Sequence, residues 1–448
     1  MTSHGSGGLP TPPSSHRAHR SRAMTIRVVF FAASVLTASL AVAGPIGEPG
    51  LPVAGLVDPP VGPQGDPSQP GLEGPEDDPG LADSQDPMDS QSGESVRPAS
   101  AVATLDSEGG VGRFPSIAIG SDGFGLISYF DEGNADLKVA HCVDVACSTA
   151  ELTTLDSADA VGWYTSLAIG SDGLGLISYA DATNDDLKVA HCVDVPCSEA
   201  TTATIDVTGG SYSSIAIGSD GLGLISYMDA NNMKLLVAHC LDVACTGAVV
   251  TRIDNAGYVG GYISLAIGSD GLGLISYLGY PGGLMVAHCL DVACSGATVT
   301  TVDGAGHWTS ITIGSDGLGL ISYMDMPDGG IKVAHCLDIT CTTATVAVLD
   351  STLGEYSSIT IGPDGLPQVA LCDGADAVTA LKVAYCANPA CTEAAIVTVD
   401  NAANVGTYPS ITIASDGFGL IAYNDETNND LKVAHLSNGP SFHASALP

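Results

Sequence analysis

The stretch that decides the fold is Ile117–Cys147, which reads IAIGSDGFGLISYFDEGNADLKVAHCVDVAC. Edited copies of this stretch begin at Leu167, Ile215, Leu265, Ile311, Ile359 and Ile411. A unit that returns at intervals of about 50 residues buries its apolar surface against its neighbours rather than in one large interior. The sequence therefore predicts a repeat protein with seven units.

Each unit alternates short apolar segments with turn signals. Ser116–Ile119 alternates large and small residues, which is typical of a strand between two packed layers. An Asp-Gly pair follows, a hairpin signal, and then Leu126–Tyr129 as the second predicted strand. Leu137–His141 is the third strand and Glu151–Leu155 the fourth. Four antiparallel strands in each unit predict one propeller blade.

The partial copies at the two ends of the repeat region predict a closed ring. The first fourth-strand segment, Ala101–Asp106, precedes every three-strand core, whereas the last core, Ile411–His435, has no fourth strand after it. Ala101–Asp106 is therefore expected to complete the last blade, which closes the ring and removes an open end. The predicted fold class is all-β, a seven-bladed β-propeller over residues 101–436.

Residues 1–43 have the pattern of a signal peptide. A basic segment, Arg17–Arg27, precedes an apolar run, Val28–Ala43, that is short for a membrane anchor and ends in the small-x-small pattern that signal peptidase accepts. Residues 44–100 are rich in Pro, Gly, Asp and Ser, so we expect a disordered acidic linker there. Residues 437–448 are expected to be a flexible tail. We expect a secreted or cell-surface protein with no membrane span after cleavage of the signal.

The charge of the chain excludes two classes of partner. The formal net charge is -37, and the segment 1–43 holds four of the 13 basic residues and no acidic one, so the processed chain is more acidic still. Such a surface repels nucleic acid and anionic lipid. It favours cationic or neutral ligands, and we expect a monomer that binds a glycan or a protein.

Twelve of the 13 cysteines form pairs with one fixed spacing, C-x4-C, in six of the seven units. In an exported chain this pattern predicts disulfides. A metal site built from each pair and the preceding histidine is the alternative, but His435 is present where the pair is absent, so we expect the histidines to pack between blades. Cys372 is predicted to be free and buried. The predicted disulfide cysteines are Cys142, Cys147, Cys192, Cys197, Cys240, Cys245, Cys289, Cys294, Cys336, Cys341, Cys386 and Cys391.

The turn after the second strand repeats an acidic pattern in three units. Clustered carboxylate and amide oxygens suit calcium, but Asp and Asn also favour such turns through bonds to their own backbone. We predict no cofactor other than calcium, and both readings of these turns stay open. The candidate calcium ligands are Asp131, Asn134, Asp136, Asp181, Asn184, Asp186, Asp425, Asn428 and Asp430.

One aromatic residue recurs two positions before the first-strand serine of every unit. Rigid aromatic faces near carboxylates suit sugar rings and cations, whereas a wedge between blades is the structural alternative. The residue before each aromatic differs in every unit, so it is expected to be exposed, either conferring specificity or merely unconstrained. The predicted ligand-binding residues are Phe114, Tyr164, Tyr212, Tyr262, Trp308, Tyr356 and Tyr408, with Arg113, Trp163, His307 and Glu355 from the variable position.

The chain resembles secreted bacterial propeller-repeat proteins of the broad sialidase-like, Asp-box type. The Asp-box pattern S-x-D-x-G-x-x-W is not present, because the turn here reads Ser-Asp-Gly followed by Leu-Gly or Phe-Gly. Sialidases hold the substrate carboxylate with three arginines, and beyond residue 43 this chain has only Arg97, Arg113 and Arg252. The resemblance therefore implies the architecture and not the sialidase activity.

No nucleophile motif or metal triad is present, so the sequence favours an exported, non-enzymatic binding or display module. Its ligand would be a neutral glycan on the face that carries the aromatic and acidic residues. One alternative is a glycan-active hydrolase or lyase that uses His307 and Glu355 as acid and base, since catalysis in a symmetric ring needs residues that break the symmetry. A protein-interaction scaffold is the other alternative.

Overall fold

In the computed structural model of the chain, the described residues are 100–280, 283–326, 329–351, 354–374 and 379–437. They form 28 strands in seven four-stranded antiparallel sheets, so the protein is a seven-bladed β-propeller, as predicted. Among these residues no helix is long and apolar enough to cross a bilayer. The predicted signal peptide and nearly all of the predicted linker and tail lie outside the described residues.

The strands follow chain order within each blade, and the first strand of each blade contacts the first strands of its neighbours around the central axis. Blade 1 contains β2 (Arg113–Ile119), β3 (Gly125–Asp131), β4 (Asp136–Cys142) and β5 (Ala150–Asp156). Blade 2 contains β6 (Val161–Ile169), β7 (Gly175–Asp181), β8 (Asp186–Cys192) and β9 (Ala200–Asp206). Blade 3 contains β10 (Ser211–Ile217), β11 (Gly223–Asp229), β12 (Lys234–Cys240) and β13 (Ala248–Asp254).

The remaining blades keep the same order. Blade 4 contains β14 (Tyr258–Ile267), β15 (Gly273–Tyr280), β16 (Gly283–Cys289) and β17 (Ala297–Asp303). Blade 5 contains β18 (His307–Ile313), β19 (Gly319–Met324), β20 (Ile331–Cys336) and β21 (Ala344–Asp350). Blade 6 contains β22 (Gly354–Ile361), β23 (Pro367–Asp373), β24 (Ala380–Cys386) and β25 (Ala394–Asp400). Blade 7 contains β26 (Val405–Ile413), β27 (Gly419–Asp425), β28 (Asp430–Leu436) and, from the other end of the propeller, β1 (Ser100–Asp106).

Blade 7 closes the ring as the sequence predicts. Strand β1 pairs antiparallel with β28, and the pairing begins at Ser100 opposite Leu436. Strand β1 thus includes Ser100, the last residue of the predicted linker. Blade 7 contains three strands from the C-terminal end of the propeller and one outermost strand from its N-terminal end. Both ends are thereby held in a single blade.

The apolar core lies at the seven junctions between neighbouring blades. Each cluster combines side chains of two blades, as where Ile127 and Tyr129 of blade 1 pack with Leu420 and Val433 of blade 7. The second strand of a blade is almost entirely buried because it has a neighbouring strand on each edge and a neighbouring blade on each face. Packing between blades therefore supplies most of the stability of every unit.

A buried ionic contact also crosses most junctions. The Tyr129 hydroxyl donates a hydrogen bond to the Asp106 carboxylate at 2.7 Å, and the Lys138 ammonium donates to the same carboxylate. The contact ties the end of the outermost strand of one blade to the second and third strands of the next. Blades 3 and 4 lack this lysine and have Leu236 and Met285 at its position. Blade 4 also has Gly279 where most blades have an Asp at the end of the second strand.

The predicted disulfides are present, each closing the turn between the third and fourth strands, with Cα atoms 4.8 Å apart. Cys372 is free and buried, as predicted. The histidines make a contact that the sequence did not indicate. His141 Nε2 lies 2.8 Å from an Asp122 oxygen of its own blade, because the third strand ends beside the Ser-Asp-Gly turn, and five other blades repeat this contact. Packing of the histidines between blades stays a prediction.

Candidate functional site

The aromatic residue of each unit is part of the first strand rather than of a preceding loop. In blade 1 the pairing of β2 with β3 slips between Arg113 and Ser116, which marks a β-bulge at Phe114 and Pro115. Phe114 has a φ of 51°, in the left-handed region that a non-glycine residue enters at a cost of about 1–3 kcal/mol. Five of the other six recurring aromatics share this conformation. The bulge re-aims the side chain toward the axis of the ring.

Seven aromatic side chains, one from each blade, form a closed circle around that axis, which we call the aromatic ring. Neighbouring ring centroids are 4.4–5.0 Å apart at every step, including the step from Tyr408 back to Phe114 at 4.6 Å. The angles between neighbouring ring planes run from 37° to 65°. This range includes one-seventh of a full turn, the rotation that relates neighbouring blades of a seven-bladed ring. The aromatic ring consists of Phe114, Tyr164, Tyr212, Tyr262, Trp308, Tyr356 and Tyr408.

At this spacing each aromatic face lies against the next side chain in the circle. Both alternatives left open by the sequence therefore describe part of the observed arrangement. The side chains pack at the junctions of the blades, as wedges would, and they also surround a depression on the axis. Their edges and hydroxyl groups, rather than their covered faces, are what the aromatic ring offers to a ligand.

Side-chain hydroxyls from the next blade hold the strained backbone in place. The Thr165 hydroxyl donates to the Phe114 carbonyl oxygen at 2.9 Å, and the Ser213 hydroxyl donates to the Tyr164 carbonyl oxygen at 3.0 Å. Thr309 does the same for Tyr262 at 2.7 Å. Since these hydroxyls belong to the residue after each ring aromatic, one blade fixes the aromatic of the blade before it.

The depression, which we call the central well, has a volume of about 190 Å³ and is lined by the aromatic ring and the residue after each of its members. Tyr212 interacts through its hydroxyl with Tyr164 and with Tyr262, and Tyr356 interacts with Tyr408 in the same way. Burial raises the pKa of all five ring tyrosines, so their hydroxyls stay neutral at physiological pH. The well therefore presents a girdle of uncharged hydrogen-bonding groups.

Each variable residue directly precedes a member of the aromatic ring, and we call these residues the rim; they break the symmetry of the site. The Arg113 guanidinium is paired with Glu132 at 3.2 Å, and its carbon lies 5.9 Å from the centre of the Tyr408 ring. Trp163 is half-buried against Phe130, with ring centroids 4.7 Å apart. The Arg113–Glu132 contact joins the variable position to the acidic turn, which confirms that both lie on the same face.

The residue before each ring aromatic was expected to be exposed in every blade, but its exposure differs from blade to blade. Glu355 is exposed, but Arg113, Trp163 and His307 are half-buried. Thr407 is only 1% exposed because it hydrogen-bonds the Asn424 side chain of the neighbouring strand at 3.3 Å. A residue that differs in every blade is therefore not always a surface residue.

The proposed acid and base lie on neighbouring blades, each next to a member of the aromatic ring. His307 Nδ1 is buried and has no hydrogen-bond partner among the described residues, and burial lowers the pKa of this imidazole. Although Glu355 is exposed, partial desolvation by its neighbours raises the pKa of its carboxyl, and repulsion from Glu426 adds to the effect. The two groups directly precede Trp308 and Tyr356, whose ring centroids are 4.9 Å apart, and neither of them lines the well.

The candidate calcium turns are closed by their own hydrogen bonds. The Asn134 amide group donates to one oxygen of Asp131 at 3.0 Å while the Asn134 backbone N–H donates to the other at 3.0 Å. Asn184 and Asn428 bind Asp181 and Asp425 in the same way. In the described part of the chain no group of three or more His, Cys, Asp or Glu side chains is arranged around a metal position. Calcium binding at these turns stays a prediction.

One exposed aromatic pair escaped the sequence prediction. Blade 4 lacks the acidic turn, and its first two strands continue to Tyr258 and Tyr280, which lie opposite each other with ring centroids 6.4 Å apart. Their exposed fractions are 61% and 68%, so their faces are free, unlike those of the aromatic ring. In the sequence, Gly279-Tyr280 in place of the acidic turn could have indicated this pair.

No protein-family model matches the sequence, and no curated protein matches it significantly. Solved structures match the fold. A fungal alcohol oxidase of the AA5 family, in complex with copper, is 10% identical with a TM-score of 0.54, covering 78% of each chain. An ulvan lyase of polysaccharide lyase family PL25 is 13% identical with a TM-score of 0.50, covering 76% of this chain and 96% of its own.

The NanB sialidase of Streptococcus pneumoniae is also similar, at 13% identity and a TM-score of 0.45, with 75% of this chain and 69% of that chain covered. Identities this low show the shared architecture alone. The propeller architecture that the resemblance implies is confirmed.

Proposed function

We propose that the protein is an exported, non-enzymatic binding module that holds the end of a glycan in the central well. The observation that carries the proposal is the well itself, an axial depression bounded by seven aromatic side chains and five neutral tyrosine hydroxyls. A saccharide offers hydroxyls to such a girdle and C–H groups to aromatic edges. The net charge of -37 disfavours acidic glycans, so the ligand is a neutral or cationic one.

The size and position of the well support recognition of a chain end. A volume of about 190 Å³ is below the range of about 300–1,000 Å³ that is usual for drug-sized ligands. A depression on the axis, closed on all sides by blades, offers no groove along which a polymer could lie. One terminal sugar residue would enter the well, and the remaining chain would extend toward the rim.

Export agrees with the six disulfides, because such bonds persist in oxidising compartments outside the cytosol. The signal-peptide pattern in residues 1–43 supports the same conclusion. Secretion or display at the cell surface is therefore part of the proposal.

A glycan array with the purified protein tests the binding function. We expect saccharide signals that Trp308→Ala reduces, because the truncation opens the aromatic ring beside Tyr262 and Tyr356. Phe418→Ala is the matched control, since Phe418 is a partly exposed aromatic residue in a turn at the opposite end of the blade. Running the array in calcium and in EDTA tests the three acidic turns. A blank array in both buffers would contradict glycan binding and favour the protein-interaction scaffold.

A glycan-active enzyme is the second candidate because the surroundings of two rim residues suit acid–base chemistry. Burial lowers the pKa of His307, the direction that suits a base, and the pKa of Glu355 is raised, the direction that suits an acid. Release of reducing ends from glycans identified on the array would reveal turnover. Loss of that turnover in His307→Asn, with binding retained, would establish this candidate over the binding module.

A further inference from the structure

Blade 4 has an exposed aromatic pair that the fold does not require. Tyr258 and Tyr280 lie opposite each other where β14 begins and β15 ends, and both are largely exposed. The same pairing position in blade 2 holds Ala160 and Ala182, joined by a backbone hydrogen bond of 2.8 Å. Since two alanines complete the pairing there, packing does not explain two tyrosines in blade 4. Contact with a ligand is the alternative explanation.

The two tyrosine rings offer a surface that the central well does not. Their centroids are 6.4 Å apart and their planes meet at 68°, so they stand nearly at a right angle. Because most of each side chain is exposed, each ring keeps an open face, whereas the faces of the aromatic ring are covered. Open aromatic faces suit the apolar faces of sugar rings, and the phenol groups suit sugar hydroxyls.

The surroundings of the pair suit an uncharged ligand. Between residues 229 and 280, the acidic residues are Asp229, Asp242, Asp254 and Asp270. Asp229 and Asp254 are buried, and the other two lie in turns at the opposite end of the blades. Lys234 and Arg252, the basic residues of the same stretch, balance the two buried carboxylates. This end of blades 3 and 4 is therefore close to neutral, although the net charge of the chain is -37.

The rim is open on the side of the pair. In β14 the rim residue Gly261 places no side chain between Tyr258 and the ring member Tyr262. The backbone of Gly261 is outside the left-handed region, and a Cβ atom there would lie 3.8 Å from Leu278 Cβ, an ordinary contact. The equivalent position in blade 2 holds Trp163. A side chain is thus permitted at Gly261, and its absence leaves a passage from the well to the pair.

The distance between the two sites requires more than one sugar residue. Tyr258 and Tyr262 are four residues apart in one strand, which corresponds to about 13 Å at about 3.3 Å per residue. A terminal sugar in the well does not reach that far, whereas the residues that follow it in an extended chain do. The passage over Gly261 gives such a chain a path along the strand.

We infer that the Tyr258–Tyr280 pair is a second saccharide site, which holds inner residues of a neutral, extended glycan whose end lies in the central well. The inference rests on the proposed function, since it assigns a place to the rest of the same glycan. Chains of β-1,4-linked sugars have the flat, extended form that two sites along one strand require. The well fixes the chain end, and the pair adds affinity in proportion to chain length.

Isothermal titration of the full chain with short and long members of three neutral series tests the second site. The probes are cellobiose and cellohexaose, mannobiose and mannohexaose, and the fully acetylated chitin disaccharide and hexasaccharide. In at least one series we expect the hexasaccharide to bind about tenfold more tightly than the disaccharide. Combining Tyr258→Ala with Tyr280→Ala should remove this gain and leave the affinity for the disaccharide unchanged. The alanines of blade 2 indicate that the fold tolerates both substitutions.

Two substitutions at Gly261 test the passage. Gly261→Trp, which copies the residue of blade 2, should reduce the gain several-fold, and Gly261→Ala is the matched control that should keep it. A hexasaccharide that binds no more tightly than its disaccharide in every series would overturn the second site and leave glycan binding by the well standing. So would a gain that survives the double tyrosine variant or Gly261→Trp, or an equal loss for both lengths in the double variant. Binding of none of the probes would overturn the second site, and a blank glycan array in addition would overturn the proposed function.

Discussion

The hydroxyl of Ser410 accepts a hydrogen bond from the backbone N–H of Ile117 at 3.2 Å, although 293 residues separate them in the chain. The same bond joins every other pair of neighbouring blades, as where Leu167 N–H donates to the Ser116 hydroxyl at 3.0 Å. The seven bonds form an unbroken circle just beneath the aromatic ring. The junction between the two ends of the propeller is therefore built like the six junctions within it.

Replacing Ser410 with alanine should cost about 1 kcal/mol of unfolding free energy, the usual net contribution of a hydrogen bond. Ser264→Ala, which breaks the equivalent bond between blades 4 and 5, is the matched control and should cost about the same. Urea denaturation measures both. A measurable effect of Ser264→Ala with none for Ser410→Ala would show that the ring is open in solution.

Replacing Asp106 with asparagine should destabilise the closing junction by about 2 kcal/mol, because the largely buried Lys138 ammonium loses its hydrogen-bonded carboxylate and keeps only Asp131, 3.8 Å away, as a counter-charge. The loss should depend on pH. Burial alone would raise the pKa of Asp106, but hydrogen bonds from Lys138 and Tyr129 outweigh it and lower the pKa.

A carboxyl whose pKa is lower in the folded state stabilises the protein above its unfolded pKa, and the contribution disappears as pH falls through the folded value. The difference in urea midpoint between the wild-type protein and Asp106→Asn should thus be constant from pH 7 to about pH 5 and shrink below about pH 4. Glu151→Gln, an exposed carboxylate on an outer strand, should show no such trend. A difference that persists unchanged at pH 3 would contradict the assignment.

Thiol titration should find one thiol in the unreduced protein, and only once the protein is denatured. Twelve cysteines are in disulfides, while Cys372 is buried, and burial raises the pKa of its thiol to about 12. Since the thiolate is the reactive form, Cys372 should react with a disulfide reagent only after denaturation. Cys372→Ser should then show no reactive thiol under either condition. Rapid labelling of the native protein would contradict the observed burial.

Intrinsic fluorescence should report occupation of the central well. The chain has two tryptophans, and both lie at this site, Trp308 within the aromatic ring and Trp163 on its rim. A ligand in the well should shift the emission of both, and Trp163→Phe should reduce the response without abolishing it. If a ligand that binds by calorimetry leaves the emission unchanged, it occupies another surface, such as the exposed Tyr258–Tyr280 pair.

Much of the fold could be predicted because its signals are local and periodic. Alternating residues such as those of Ser116–Ile119 mark strands, and the placement of Ala101–Asp106 before the first core predicted the closing strand that β1 forms. The histidine contact was missed because sequence spacing relates His141 to its strand but not to Asp122, which a hairpin brings beside it. The site residues could be nominated from their recurrence, but their roles depended on neighbours from other blades.

By itself the sequence determined the number of blades, the closing strand, the paired and unpaired cysteines and the residues that surround the axis. All of these follow from the repetition, because the seven copies can be compared position by position and any departure from the common pattern can be recognised. Only the tertiary structure decided that the aromatic faces are covered and that Thr407 is buried. These depend on the angle and separation between neighbouring blades, which arise from packing at the junctions and which no single repeat encodes.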